Sequence, residues 1–333
     1  MKKKIFLHIG THKTGTTSFQ QLIRKNAQDL KLQNIYVPPV GKMVSTFGHF
    51  QMKGGGLHMI SSAFREETSF DVVDAYLEAF ELSGCTSACI SSEGFDKLNI
   101  YQIENLSQKF SNYELDILLV LRHPLALAKS LFCSRGSVAS ADNTSFLSSS
   151  LKKLRIFKYS SIINDYSSIG KIKVIKYEDY ENINVELLKS INAVDNSIKG
   201  SQSRIRQSLL PHAAIANRQI FTALGLNRTT YLKNIYPYLL EFADNHDKSE
   251  SVENLLQSSI SPFPVDEQKQ FIQEWVKMVF ELDCPVMQEV RWASWRENKI
   301  FDKCVKPAAV NQFKEKFIDW LFSEHLGKKK LTL

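Results

Sequence analysis

A short segment near the start of the chain, Gly10–Ser18, carries residue types that bind a phosphate or a similar anion. Two glycines bound its first six residues, Lys13 lies between them, and the hydroxyl residues Thr16, Thr17 and Ser18 follow. A loop of this kind directs backbone N–H groups at an anion, and the N-terminus of the next helix adds partial positive charge. The hydroxyl groups are further donors and can cap the helix. The segment therefore predicts an anion-binding loop between a strand and a helix.

The loop differs from a nucleotide-binding Walker A loop in the position of its lysine. That motif reads G-x-x-x-x-G-K-[ST]. Both glycines and Thr17 match it, but Thr16 stands where the lysine should be, and the lysine comes earlier, at Lys13. A Mg-nucleotide enzyme also needs an acidic residue at a strand end to hold the metal, and the most apolar segment ends instead in Arg122. These differences count against a Mg-nucleotide enzyme.

The run His12–Ser18 resembles the 5′-phosphosulfate loop of the sulfotransferases that use 3′-phosphoadenosine 5′-phosphosulfate (PAPS). The common form in that family is K-[ST]-G-T-[ST], with the lysine ahead of the glycine, as it is here. The resemblance implies Lys13 as the electrophile beside the bridging oxygen of the donor, with His12 in an assisting or an orienting role. It implies that the donor's phosphosulfate is held by Lys13, Thr14, Gly15, Thr16, Thr17 and Ser18.

A second motif is similar to the 3′-phosphate site of the same family. Arg122 ends an apolar segment, and Ser130 follows eight residues later with Pro124 between them. An arginine binds a phosphate with two parallel charge-assisted hydrogen bonds, and a serine two turns into the next helix can donate to the same group. The resemblance implies that Arg122 and Ser130 recognise the 3′-phosphate, which distinguishes PAPS from ATP.

Two further segments resemble elements of the family. Ser203–Pro211 is similar to an R-x-N-x-S-L segment of bacterial members, with an arginine in place of the asparagine. We expect Arg204 and Arg206 to line the 3′-phosphate or adenosine site, or else to form a solvated basic loop. Tyr177–Asp179 is similar to a Y-E-D element, for which we expect a structural role in capping the next helix.

The resemblance also implies a catalytic base. The family places a histidine after its second strand in cytosolic members and a glutamate in glycan-modifying members, and here Glu93 follows the strand-like Ser87–Ser92. A carboxylate within hydrogen-bond reach can take the proton of an acceptor hydroxyl. The alternative is that Glu93 caps a helix or pairs with Lys97. His49 and His58, in or beside a glycine-rich segment, are candidates to line the acceptor site or to be structural.

The elements that must position these residues alternate between strand and helix over the first 200 residues. Apolar runs predict strands at Lys4–Ile9, Ser87–Ser92, Leu115–Leu121 and Ile172–Tyr177. Helical periodicity predicts helices at Thr16–Leu30, Val72–Leu82, Gln102–Phe110, after Pro124, and at Val185–Ile191. The glycine-rich segment Phe47–Leu57 is predicted to be a mobile loop. The alternation predicts an α/β fold, a P-loop NTPase-like parallel sheet flanked by helices.

The last third of the chain has a different pattern. It predicts a loop at Ser249–Pro264, no strand, and four helices: Ala213–Leu224, Thr230–Ala243, Val265–Leu282 and Val310–Phe322. We therefore expect residues 1–211 to form a PAPS-binding α/β core, and residues 212–333 to form a helical C-terminal extension packed on that core.

Composition excludes several classes of protein. The chain of 333 residues is 43% hydrophobic and 23% charged, as in globular proteins, which excludes a disordered or collagen-like chain. No apolar run approaches the roughly 20 residues of a transmembrane helix, and the short run after Lys2–Lys4 does not read as a signal peptide. The net charge of +7 favours anionic ligands, but no motif indicates nucleic acid. The five cysteines form no CxxC pair, so we expect reduced thiols in a cytoplasmic protein and no metal site.

The leading hypothesis is a PAPS-dependent sulfotransferase that needs no metal and acts on an acceptor hydroxyl or, less commonly, an amine. A glutamate at the base position resembles the carbohydrate-modifying branch, so a glycan or glycolipid is the leading acceptor. Two alternatives stay open. One is a P-loop kinase or NTPase acting on a nucleotide, and the other is a sulfotransferase-fold protein that binds without catalysis.

Overall fold

The computed structural model describes residues 2–38, 41–46, 48–52, 57–67, 69–134, 143–194, 198, 211–249, 260–280, 284, 287, 303–304, 306–321 and 323. The chain forms two compact units. The first comprises residues 1–123, 154–206 and 278–291, and the second comprises residues 124–153, 207–277 and 292–333. The division near residue 211 into a PAPS-binding core and an extension packed on it stays a prediction.

The first unit is built around a parallel sheet. Its strands are β1 (Lys4–Gly10), β2 (Ile35–Tyr36), β3 (Gly41–Ser45), β4 (Gly48–Met52), β5 (Ser87–Ser92), β6 (Glu114–Leu121) and β7 (Lys171–Lys176). Five of them pair in parallel in the order β2-β5-β1-β6-β7. Strands β3 and β4 form a separate antiparallel hairpin.

Helices connect these strands and make up most of the second unit. In chain order they are α1 (Thr16–Lys25), α2 (Ala27–Leu32), α3 (His58–Glu66), α4 (Asp71–Leu82), α5 (Ile100–Lys109), α6 (Pro124–Phe132), α7 (Asn143–Lys153), α8 (Tyr159–Ser167), α9 (Ile183–Ser190), α10 (Pro211–Leu224), α11 (Arg228–Asn234), α12 (Tyr236–Ser249), α13 (Val265–Phe280) and α14 (Pro307–Leu321). Short 3-10 turns lie at Glu93–Lys97, Arg155–Phe157 and Tyr177–Asp179.

Both faces of the sheet are covered, which explains why β1 and β6 read as continuous apolar runs. Successive side chains of a strand point to opposite faces. On one face Phe6, Cys89 and Val120 pack in a single buried cluster with residues of α1, α2 and α9. On the other face α3 contacts β5 and α8 contacts β7, with α5 packed between α3 and α8. The predicted α/β fold with a parallel sheet flanked by helices is confirmed.

Two predicted helices are each broken into a pair. The predicted helix Thr16–Leu30 ends at α1, because Asn26 turns its side chain back and donates from Nδ2 to the carbonyl of Leu22 at 2.9 Å. The chain resumes as α2 on the same core, so the apolar periodicity continues through the break. The predicted helix Thr230–Ala243 divides into α11 and α12, because Pro237 in the first turn of α12 lacks the N–H that a continuous helix requires.

The sequence does not predict several of the strands, because they are too short or too polar to show a clear pattern of apolar residues. The prediction of a loop over Phe47–Leu57 is wrong for Gly48–Met52, which forms strand β4. The prediction of no strand in the last third is also wrong. Strands β8 (Ile260–Ser261) and β9 (Lys303–Cys304), in the second unit, pair in parallel over two residues each. Strand β2, which has two residues, is an edge strand of the parallel sheet.

The second unit has an aromatic core around a buried arginine. The Arg218 guanidinium lies 3.8 Å from the ring centroid of Phe132 and donates to the Phe132 carbonyl at 2.9 Å. Phe146 and Phe263 stack on each other, and each contacts the ring of Phe132 edge to face. Burial lowers the pKa of Arg218 to about 10. No helix within the described ranges is both long enough and apolar enough to cross a membrane.

Candidate active site

Four chain segments with polar side chains meet at the carboxyl edge of the sheet. Ligands of open α/β sheets bind at this edge. The anion loop, residues 11–15, follows β1, and the turn Glu93–Lys97 follows the neighbouring strand β5. Arg122 follows β6 on the other side of β1, and the turn Tyr177–Asp179 follows β7. Parallel pairing therefore places the predicted anion loop between the predicted base and the predicted arginine.

The anion loop has the backbone conformation expected for anion binding. Lys13 has φ 69° and Gly15 has φ 80°, so both lie in the left-handed region. Gly15 is the N-cap of α1, and the first helical hydrogen bond runs from Phe19 N to the Gly15 carbonyl at 3.1 Å. The N–H groups of residues 16–18 therefore precede the first helical bond, as in other helix N-termini that receive anions.

Most of the loop's threonine hydroxyls are used to hold the loop together. Thr11 Oγ1 donates to the Val120 carbonyl at 2.7 Å, which fastens the loop to β6. Thr14 Oγ1 donates to the Thr11 carbonyl at 2.6 Å and lies 3.3 Å from Thr16 Oγ1. Thr14 and Thr16 are buried, and their hydroxyls are engaged within the loop.

The last two hydroxyl residues of the motif contact neighbouring elements. Thr17 Oγ1 donates to Glu93 Oε1 at 3.4 Å, and Ser18 Oγ accepts a hydrogen bond from Asn184 Nδ2 at 2.9 Å. Neither side chain caps α1, whose N-cap is Gly15. The expectation that hydroxyls of the motif cap this helix is therefore wrong, because the N-cap position is taken by Gly15, which has no side chain, and the three hydroxyl residues lie within the first turn.

Arg122 lies against the anion loop. Its Nη1 donates to the Lys13 carbonyl at 2.7 Å, and its guanidinium carbon lies 4.9 Å from the ring centroid of Tyr177. Arg122 Nε lies 3.9 Å from Glu178 Oε1, and the Arg122 carbonyl accepts from Tyr159 Oη at 2.6 Å. The guanidinium is thus positioned by a carbonyl, an aromatic ring and a carboxylate.

The predicted partner of Arg122 belongs to the other unit. Ser130 lies in α6, two turns after Pro124, and its pairing with Arg122 at a phosphate stays a prediction.

The turn Tyr177–Asp179 contacts the residue that follows Arg122. Glu178 accepts hydrogen bonds from the backbone N–H of His123 at 3.0 and 3.1 Å. The expectation that the Tyr177–Asp179 turn caps α9 is wrong, because Asn182 is the N-cap of that helix.

The turn Glu93–Lys97 brings two carboxylates to His12. His12 Nδ1 lies 3.0 Å from Asp96 Oδ2, and His12 Nε2 lies 3.9 Å from Glu93 Oε2. The hydrogen bond to Asp96 raises the pKa of His12, against the opposing effect of burial. Burial raises the pKa of Asp96, which is completely buried. The motif comparison missed Asp96, although its spacing of three residues from Glu93 could have indicated two carboxylates on one side of a turn.

Contacts from distant parts of the chain fix this acidic turn. Ser92 Oγ accepts from Gly94 N at 3.2 Å and lies 2.7 Å from Ser61 Oγ. Tyr166 Oη donates to the Phe95 carbonyl at 2.6 Å. His58 is the first residue of α3, and its Nδ1 lies 3.2 Å from Ser92 Oγ. His58 is exposed beside the acidic turn, so its proposed place at the acceptor side stays open.

Three of the predicted site residues cannot be placed. His49 lies in β4, and its side chain is outside the described residues. Arg204 and Arg206 also lie outside the described residues. Within the described ranges, no group of three His, Cys, Asp or Glu side chains is arranged to hold a metal ion. Cys85, Cys89, Cys133 and Cys284 are free thiols.

Comparison with known proteins yields similarity to solved structures alone. No protein-family model and no curated protein match the chain. A solved structure, "Crystal Structure of Sulfotransferase from Alicyclobacillus acidocaldarius", is similar at 16% identity and a TM-score of 0.38. The similarity covers 70% of this chain and 96% of that chain. Because similarity at that level assigns neither a fold nor an activity, we base the function on the residues of the site.

Proposed function

We propose that the chain is a sulfotransferase that moves a sulfuryl group from PAPS to an acceptor hydroxyl. The observation that carries this proposal is the bond between Arg122 and the anion loop. Arg122 Nη1 lies 2.7 Å from the Lys13 carbonyl. A cation therefore stands at the end of β6, where a Mg-nucleotide enzyme would place a metal-binding carboxylate.

The residues of the loop fit the phosphosulfate end of the donor. The N–H groups at the start of α1 and the Lys13 side chain would receive the 5′-phosphate and the sulfonate oxygens. Charge-assisted hydrogen bonds of this type contribute about 1.5–3 kcal/mol each. Arg122, with Ser130 from α6, would bind the 3′-phosphate in a bidentate manner. Arg204 and Arg206 are proposed to add charge at the 3′-phosphate or adenosine.

The chemistry of the proposed reaction needs a base and a stabilised leaving group. The acceptor oxygen loses its proton to Glu93 and forms a bond to sulfur, while the bond between sulfur and the bridging phosphate oxygen breaks. Adenosine 3′,5′-bisphosphate leaves with the electron pair of that bond. Lys13 and the loop N–H groups stabilise the negative charge on the sulfonate and on the leaving phosphate, and they can do so without a metal.

The acceptor is proposed to be a glycan or glycolipid hydroxyl, and a cytoplasmic location is proposed with it. The support is the glutamate at the base position, together with Thr17 Oγ1, which holds Glu93 Oε1 at 3.4 Å beside the anion loop. His12 directly precedes Lys13 in the loop, and its Nε2 lies 3.9 Å from Glu93 Oε2. His49 and His58 are proposed to line the acceptor side.

Calorimetric binding of adenosine 3′,5′-bisphosphate, with EDTA present and Mg-ATP as the comparison, tests the proposal. We expect micromolar affinity for the bisphosphate and much weaker affinity for Mg-ATP. Lys13→Ala should weaken bisphosphate binding, whereas Lys31→Ala, which removes an exposed lysine from α2, should not. Preference for Mg-ATP would indicate a P-loop kinase or NTPase instead. Bisphosphate binding without transfer to any glycan acceptor would favour a binding protein.

A further inference from the structure

Asp96 is a buried carboxylate at the edge of the candidate site. Its side chain has no exposed surface, and a buried carboxylate destabilises a fold unless it is paired and hydrogen-bonded. Asp96 Oδ2 lies 3.0 Å from His12 Nδ1. Within the described part of the chain, Asp96 Oδ1 is buried without a hydrogen-bond partner. The interaction with His12 is therefore the contact that explains why a carboxylate is buried at this position.

His12 lies between two carboxylates of one turn. Nδ1 faces Asp96 at 3.0 Å and Nε2 faces Glu93 at 3.9 Å. A neutral imidazole has one N–H and one acceptor nitrogen, whereas an imidazolium has two N–H groups. Only the protonated ring can therefore present a donor to both acids. The bonds that Ser92 and Tyr166 make to the turn hold both carboxylates in place.

The surrounding charges favour the protonated ring. Asp96 and Glu93 raise the pKa of His12, while burial and the charge of Lys97 lower it, and the net direction is upward. The other groups packed around this turn include two hydroxyls, a histidine and an arginine. Tyr166 from α8 bonds the Phe95 carbonyl, Thr17 from α1 bonds Glu93, and exposed His58 from α3 approaches Ser92. The 3-10 turn Arg155–Phe157, which also contacts this turn, carries Arg155 bonded to Asp165.

We propose that Asp96 is a positioning residue that keeps His12 protonated beside Glu93, so that the imidazolium stabilises the Glu93 carboxylate next to an anionic donor. This inference deepens the proposed function and rests on it. A bound phosphosulfate would favour protonation of a nearby carboxylate, because like charges disfavour ionisation. A protonated glutamate cannot serve as a base. The positive charge on His12 offsets this effect, and Asp96 offsets the burial that would otherwise deprotonate His12.

The proposal fixes the sign of a pH dependence. Turnover requires His12 in its charged form, so it falls as pH rises through the pKa of His12. Replacing Asp96 by asparagine removes the largest influence that raises this pKa and leaves the opposing burial in place. The alkaline decline of kcat should therefore move to lower pH in Asp96→Asn. We expect kcat to fall by about tenfold for each pH unit by which the pKa of His12 lies below the pH of the assay.

Histidine NMR on protein labelled with ¹⁵N and ¹³C at its histidines tests the inference directly, with His12→Gln to assign the His12 signals. In the free wild-type protein we expect His12 to titrate above the ordinary histidine value of 6.5 and to have both ring nitrogens protonated at pH 6. In Asp96→Asn the titration should move to lower pH. A wild-type His12 that is neutral at pH 6, or a titration unchanged by Asp96→Asn, would overturn the proposal.

Asp116→Asn is the matched control. Asp116 Oδ2 lies 3.0 Å from Lys4 Nζ, and Asp116 Oδ1 is buried without a hydrogen-bond partner among the described residues. It therefore repeats the arrangement of Asp96 on β6, at the register position beside Phe6 rather than at the carboxyl edge. Asp116→Asn should leave both the His12 titration and the pH profile of kcat unchanged. An equal shift in both variants would show a general effect of lost charge and would overturn the specific role of Asp96.

Binding measurements distinguish failure of this inference from failure of the proposed function. Asp96→Asn should bind adenosine 3′,5′-bisphosphate within about twofold of wild type, because the substitution changes a completely buried side chain and leaves Lys13, Arg122 and the start of α1 in place. If wild type does not bind the bisphosphate, the proposed function fails whatever His12 does. If wild type binds it and His12 titrates as an ordinary histidine, only the inference about Asp96 fails. If Asp96→Asn does not fold, the wild-type titration alone decides.

Discussion

The anion loop after β1 and the acidic turn after β5 lie side by side but are held in different ways. The loop has an internal bond, from Thr14 Oγ1 to the Thr11 carbonyl three positions away, and it is also fastened to β6 and the residue after it through Thr11 and Arg122. The turn is held by side chains from far along the chain, since Ser61 bonds Ser92 and Tyr166 bonds the Phe95 carbonyl. The donor half of the proposed site thus combines an internal bond with long-range contacts, whereas the acceptor half is fixed mainly by side chains from distant segments.

One glycine in each region, Gly10 and Gly94, permits a close approach of a different kind. A Cβ at Gly10 would lie 2.2 Å from the side chain of Thr16, which belongs to the same motif. A Cβ at Gly94 would lie 2.3 Å from Oγ of Ser61, which belongs to α3. Each glycine thus permits a close approach, but only the second approach joins segments that are distant in sequence.

The largest expected effect comes from replacing Glu93, the proposed base in the acceptor half of the site. Glu93→Gln should lower kcat by about 10²- to 10⁴-fold, because an amide cannot accept the acceptor proton. The affinity for adenosine 3′,5′-bisphosphate should stay within about twofold, because the acidic turn does not hold the donor. Release of the bisphosphate from PAPS with an acceptor that supports turnover measures the first quantity, and calorimetry measures the second. An unchanged kcat would remove Glu93 from the role of base.

The converse experiment removes the charge of the anion loop. Lys13→Ala should weaken binding of adenosine 3′,5′-bisphosphate by about 10- to 150-fold, which corresponds to a charge-assisted contact of about 1.5–3 kcal/mol. Calorimetry at fixed ionic strength measures this loss, with Lys31→Ala as the surface control. If the two lysine variants lose the same affinity, binding reflects the net charge of the chain rather than the loop.

A third prediction concerns stability and the long-range contact of the acidic turn. Gly94→Ala should lower the free energy of unfolding by about 1–3 kcal/mol, as overpacking does. Ser61→Gly in the same chain should recover part of this loss, because it removes the atoms that the new methyl group meets. Urea unfolding measures both variants. Ser61→Gly should give no recovery in Gly10→Ala, and recovery there would contradict the separation of the two regions.

The last prediction concerns His8, which joins β1 to β5. His8 Nδ1 lies 2.8 Å from Ser91 Oγ, and burial lowers the pKa of His8 to about 3. The unfolded chain therefore binds a proton that the folded chain excludes between pH 6.5 and about 3. The contribution of His8 to the free energy of unfolding is fully present above pH 6.5, and it falls by about 1.4 kcal/mol per pH unit below that value. Urea unfolding of His8→Gln should show a correspondingly shallower loss on acidification, and an equal slope would contradict the assignment.

The sequence predicts the local parts of the molecule well. Strands β1, β5 and β6 and the loop between β1 and α1 follow from apolar runs and from a motif within nine residues. Arg122 follows from its place at the end of such a run. Each of these features depends on neighbours in sequence, so a pattern can indicate it before the fold is known.

The features that the sequence missed depend on contacts across the fold. Asp96 reads as an ordinary acid of a turn until the sheet brings it to His12, 84 positions earlier in the chain. Strand β2 has two residues, and its pairing with β5 is fixed by the arrangement of the sheet rather than by its own pattern. The break at Asn26 lies within an unbroken apolar periodicity, because α1 and α2 pack on the same core cluster.

The central claim is that the carboxyl edge of this sheet recognises a nucleotide by its 3′-phosphate without a metal. Calorimetric affinities of adenosine 3′,5′-bisphosphate and adenosine 5′-monophosphate, in EDTA, test it most directly in wild type and in Arg122→Ala. The account predicts that wild type prefers the bisphosphate by about 10- to 150-fold, and that Arg122→Ala loses most of this preference. Equal affinities of wild type for the two nucleotides would contradict it.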